Sequence, residues 1–192
     1  MVRFGKKAIL AVLILLAGCS DNSEQEARDL VNNFYQLHQS ARPNGALTLK
    51  QLITFRNFMS VQLFELLKDV SVAEEARQSQ GDPDAPALVD GDLFTTNPKG
   101  ATSYRLLMCQ FDENNANCST ELLYGDAGQT TLSKSIDRIV LTRDARGWVI
   151  DNIVYSGTAS SGQHSGDLQK FLQNILADSA YKRTLPTKPT AQ

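Results

Sequence analysis

The sequence predicts an α+β domain: N-terminal helices packed on a curved antiparallel sheet, with an extra C-terminal helix after the last strand. Three observations lead there. Apolar residues recur at helical spacing over residues 24–39, 48–77 and 168–176. They alternate at a period of two over residues 102–124 and 132–155. Clusters of Asp, Asn and Gly interrupt the alternating runs at their middles, which pairs them as hairpins.

The first segment belongs to no domain. Arg3, Lys6 and Lys7 precede a nine-residue apolar run, Ala8–Leu16, which closes on Ala17, Gly18 and Cys19 and then turns polar. A spanning helix takes roughly 20 apolar residues to cross about 30 Å of hydrocarbon. Nine are too few, and the layout is that of a secretory signal peptide. Leu16-Ala17-Gly18-Cys19 resembles a bacterial lipobox at every position. That resemblance implies a thioether-linked diacylglyceryl group on Cys19, cleavage after Gly18 and acylation of the new amino group with palmitate-type chains. Two or more such chains hold a protein stably at a bilayer. The sorting rule of enteric lipoproteins, with Ser20 rather than Asp after the lipidated cysteine, implies the periplasmic face of the outer membrane.

Cleavage removes three of the 19 basic residues and none of the 21 acidic ones, moving the net charge from −2 to −5. The remaining 174 residues suffice for one domain with a real core. No Lys/Arg cluster survives, so nucleic acid is not a partner this charge pattern suits. Cys109 and Cys118 are the cysteines left after Cys19. An even pair in an oxidising periplasm is expected to bond, restricting the unfolded chain by roughly 2.5–3 kcal/mol. With His38 and His164 far apart in sequence, no metal-ligand spacing is present.

Residues 19–24 read as a lipidated tether, residues 25–180 as the domain and 181–192 as a disordered tail with Pro186 and Pro189. Ala27, Leu30, Val31, Phe34, Tyr35 and His38 form the stripe of a first helix. Thr48-Leu-Lys-Gln51 has the form of a capping box opening a second, with Leu52, Ile53 and Phe55 apolar. Ser60 caps a third, carrying Leu63, Phe64, Leu66, Leu67 and Val70. Ser71-Val-Ala-Glu74 is a further capping-box pattern that either breaks this helix or lies within it as it runs to about Arg77. Gly81–Pro86 reads as a loop. Thr102–Phe111 and Cys118–Tyr124 form one hairpin around Asp112–Asn117, with Arg105, Leu107, Cys109 and Phe111 on one face. Leu132–Arg143 and Gly147–Tyr155 form a second. Gly157–Gly166 is a polar loop, and Leu168, Phe171, Leu172, Ile175 and Leu176 mark the last helix.

Three stretches carry a resemblance: Gly91-Asp-Leu-Phe94, Trp148-Val-Ile-Asp-Asn-Ile-Val-Tyr-Ser-Gly157 and the short helix after it. They look like the YbjP family of enterobacterial lipoproteins, whose periplasmic domains form a nuclear transport factor 2-like cone. Over residues 26–177 the order of elements agrees as well. The resemblance implies that cone as the fold and carries no catalytic motif. It departs in the helix after the last strand, which covers either the cone mouth or an edge strand.

Cone folds include isomerases and cyclases with an acidic or histidine base in the cavity, so the candidates are Asp137 and Asp151. By alternation Asp137 shares a face with Ile139 and Leu141, and Asp151 with Val149, Ile153 and Tyr155. A carboxylate amid apolar neighbours is a plausible general base. The plainer reading pairs both with Arg138, Arg143 or Arg146 near sheet edges. Trp148 and Tyr155 complete the cavity candidates, although core packing explains Trp148 more simply than ligand stacking. His38 reads as a boundary residue and His164 as a loop residue. Phosphate loops, dinucleotide fingerprints and a Gly-x-Ser-x-Gly elbow are absent from the sequence, so no cofactor is expected. The expectation is a non-catalytic binding module for an envelope protein. Its rivals are an immunity protein against a periplasm-delivered toxin and a small-molecule binder or isomerase-like enzyme using the cone.

Overall fold

The computed structural model describes residues 18–79, 86–125, 133–158 and 162–184. The signal-peptide reading of residues 1–17, the loop at 81–85 and the tail beyond Thr184 lie outside the described residues. Helices α1 (Gly18–Ala41), α2 (Leu49–Phe55) and α3 (Val61–Ser79) come first, with a 3₁₀ turn at Arg56–Phe58. Strands β1 (Ser103–Asp112), β2 (Asn115–Tyr124), β3 (Ser133–Asp144) and β4 (Gly147–Val154) form an antiparallel sheet in sequence order, and α4 (Leu168–Thr184) follows. The α+β class and the four-helix, four-strand content agree with the sequence.

Helix α1 buries the face that its spacing predicts: Ala27, Val31, Phe34, Tyr35 and His38 are all shielded. Burying an aliphatic or aromatic side chain of this size contributes roughly 1.5–3 kcal/mol, so this one face anchors the helix to the sheet. Residues 19–24 are not an extended tether but the opening turns of α1. Side-chain pairs one turn apart hold them, Asn22 to Glu26 at 2.9 Å and Gln25 to Asp29 at 2.8 Å. Trp148 Nε1 adds a tertiary tie by donating to Ser23 O at 2.8 Å.

The Thr48–Gln51 capping box forms with both of its bonds. In so short a helix one face buries only Leu52 and Phe55, and Ile53, about 100° away, is left 69% exposed. Ser60 Oγ accepts from Leu63 N at 3.1 Å and caps α3. Ser71-Val-Ala-Glu74 does not cap anything: α3 runs through it to Ser79. The Glu74 carboxylate faces Arg77 and the returning chain instead, accepting from Leu88 N at 2.9 Å. The Arg77 guanidinium holds its pKa down at about 2.

Turn Glu113–Asn114 is tighter than the expected six-residue linker, because Asn115, Ala116 and Asn117 continue the ladder opposite Asp112, Phe111 and Gln110. Cys109 faces Cys118 directly across the strands, and the two form a disulfide. A bulge between Leu106 and Met108 breaks the alternation assumed for β1. One extra residue flips the faces. Tyr104 and Leu106 pack inward before it, Cys109 and Phe111 after it, and Leu107 is left 40% exposed rather than facing the core.

α1 covers the inner face of the sheet, meeting β1, β2 and β4. Edge strand β4 is not left open: Ser60 N donates to Ile150 O at 2.8 Å, and Val154 bridges Asp167. Asp167 then caps α4 by accepting from Lys170 N. α4 packs on α3 and β4, the edge-strand arrangement of the two that the sequence left open. It extends to Thr184, so residues 181–184 are helical rather than tail.

Candidate functional site

Between α3 and β1 the chain enters the interior without forming helix or strand. Gly91-Asp-Leu-Phe-Thr-Thr96 is buried at all six positions. Gly91 has φ +84°, and a Cβ there would lie 2.3 Å from Pro98 O. Only glycine lets the loop close on itself through Asp92 N to Pro98 O at 2.7 Å. Leu93 and Phe94 fill the core, Phe94 lying edge-on to Phe34 with centroids 5.3 Å apart. Because these apolar side chains pull a loop backbone out of water, its polar groups require internal partners.

Asp92 and Asp137 take up two of its N–H groups, and Gly45, Pro98, Tyr155 and His164 partner others. Asp92 Oδ1 accepts from Phe94 N at 2.8 Å, and Oδ2 lies 2.6 Å from His38 Nε2 and 3.2 Å from Thr95 Oγ1. Asp92 O accepts from His164 Nε2 at 2.9 Å, which fixes the hydrogen on that nitrogen. Asp137 Oδ2 accepts from Thr96 N at 2.8 Å, and Oδ1 from Thr96 Oγ1 at 2.5 Å and Ser156 Oγ at 3.1 Å. Tyr155 donates to Leu93 O at 2.6 Å. The loop is thus tied to α1, β3, the segment after β4 and the 162–166 turn.

This interior shifts the groups around it. Burial raises Tyr155 well above its ordinary pKa, with the Asp92 and Asp137 charges adding to it. Tyr124 is pushed up to about 12, chiefly by burial. Tyr35, raised by burial and then by Asp137 and Asp92, has a hydroxyl with no hydrogen-bond partner among the described residues. Burial pushes His164 down, against the opposing pull of Asp92. Among the described residues no cluster of His, Cys, Asp or Glu could hold a metal ion. No described helix is long and apolar enough to cross a membrane.

A cleft of about 420 Å³ opens beside this network, lined by Arg42, Pro43, Pro98, Lys99 and Gly100, with His38 and Asp92 at its floor. None of the residues read from sequence as cavity candidates lines it. Asp137 is fully buried among Thr96 and Ser156, not paired with Arg138, Arg143 or Arg146. Asp151 is half-buried beside a second bulge, at Val140/Leu141, which turns it off the inner face; its Oδ2 accepts from Gln169 Nε2 at 3.2 Å. The two carboxylates therefore do not converge.

Trp148 stacks edge-on with Phe111 near the start of α1, with Arg143 over its ring. Tyr155 serves the loop. His38 is a buried partner of Asp92 rather than a boundary residue. His164 is no free loop residue but packs between Tyr155 and Phe171. Sequence reading missed Asp92, Thr96 and Ser156. The available signal was Leu93-Phe94, an apolar pair between Gly91 and Asn97-Pro98 in a stretch with neither period.

No family model, curated protein or solved structure matches this chain.

Proposed function

We propose that the chain is a lipid-anchored, non-catalytic binding module on the periplasmic face of the outer membrane, where it holds a protein of the cell envelope. The observation that carries the reading is the engagement of its buried acids. Asp92 and Asp137 accept from backbone and hydroxyl donors that pin the 91–98 loop, and Asp151 is bound to Gln169. A general base must reach a substrate proton, and these groups face protein donors instead. The Cys109–Cys118 disulfide suits an oxidising compartment. Helices on the inner face of an antiparallel sheet are compatible with a nuclear transport factor 2-like cone of the YbjP family, with α4 as an addition along β4.

Complementation of a deletion strain tests the reading. Asp137→Asn and Asp151→Asn should function almost normally, and crosslinking in intact envelopes should capture the same protein partner with each. Asp137→Asn should lose about 1–3 kcal/mol of stability, because an amide replaces one acceptor oxygen with a donor. A stable Asp151→Asn protein that fails completely in the cell would overturn the non-enzymatic reading, since a base contributes roughly 10²- to 10⁴-fold.

A further inference from the structure

The rim of the cleft carries a residue that its backbone does not favour. Arg42 follows the last residue of α1 with φ +42°, and among the described residues it alone has a positive φ without being glycine. The position after a helix commonly takes glycine because a Cβ is crowded there. The chain uses glycine for the same conformation at Gly45, Gly91 and Gly100. At residue 42 it tolerates the crowding and gains a long cationic side chain over a cleft. Backbone strain of this kind collects at ligand sites.

Lys99 lines the same cleft, and among the described residues neither cation belongs to an ion pair. Asp92 is the one acidic residue in the lining, and its oxygens already face His38, Phe94 N and Thr95. Two exposed cations, neither in an ion pair among the described residues, thus line a cleft whose one carboxylate is already engaged. The volume, about 420 Å³, falls in the range of small-molecule sites and is too small for a folded partner.

We infer that this cleft binds a small organic anion with two carboxylates. The Arg42 guanidinium matches one planar carboxylate with parallel N–H donors, and the Lys99 ammonium meets the other as a point charge.

Calorimetric titration of the folded protein with succinate tests this, with succinamide and inorganic phosphate as the comparison arms. Saturable succinate binding is expected, with none for succinamide and at least tenfold weaker binding of phosphate. Arg42→Gly and Lys99→Gln should each weaken succinate at least tenfold. Arg42→Gly relieves the crowded backbone, so it should melt no lower than the parent, which separates lost binding from lost folding. Absence of saturable succinate binding would overturn the inference. So would binding that both substitutions leave unchanged, or phosphate binding as tight as succinate.

Discussion

Asp92 shows how much of this interior depends on single polar atoms. Its carboxylate and carbonyl together meet α1, its own loop and the 162–166 turn, through His38, Phe94 and His164. His164 makes that connection sensitive to pH. Burial lowers its pKa in the fold, so as pH falls through about 6.5 the unfolded chain takes up the proton first. Its effect on stability is therefore nil at high pH and increasingly unfavourable below about 6.5. Urea unfolding at pH 7.5 and 5.5 should show a drop that His164→Gln reduces; an identical drop in that variant would contradict the assignment. Residues of this sort were poorly legible in the sequence. The helical stripe brought His38 to the core face, but its partner lies 54 positions away in a stretch with no periodicity. Asp137 was legible as an inward carboxylate by simple alternation with Ile139 and Leu141. Its partners Thr96 and Ser156 were not, because they come from segments outside any regular element.

At the level of elements, local rules succeed until a strand departs from its period. Capping chemistry at Thr48 and Ser60 and the stripes of α1 and α4 could be read directly, since each depends on neighbours within about one turn. The Cys109–Cys118 bond was likewise accessible, as an even pair of cysteines on the two strands of one hairpin. Leu107 was not, because the bulge before Met108 leaves no mark in residue type. The same holds for Asp151, next to the second bulge. The bulge in β1 can be tested by substitution. Leu106→Asp places a charge against the core and should cost at least about 3 kcal/mol, whereas Leu107→Asp faces solvent and should change stability by no more than about 0.5 kcal/mol. Chemical denaturation of the two variants separates the cases, and the reverse order would restore unbroken alternation.

For the whole molecule, the proposed anchor at Cys19 would fall in the first turn of α1. Cys19→Ala should abolish acyl labelling and membrane retention in fractionated cells; a substituted protein still processed after Gly18 and fully membrane-bound would refute the lipoprotein reading. The overall class was legible because element order and period determine how layers stack. Where α4 would lie was not, as two arrangements fit the same stripe; the bonds of Asn152 and Gln169 near its start decide for β4. The unbroken course of α1 from Gly18 to Ala41 has a mechanical consequence. From residue 19 to His38 the helix rises about 28 Å. A bilayer gripping Cys19 would thus hold a rigid strut rather than a leash, docked at its foot by Trp148 through Ser23. At the far end of that strut stand His38 and the cleft, so an anchor at Cys19 would fix how far along α1 the cleft lies from the point of attachment.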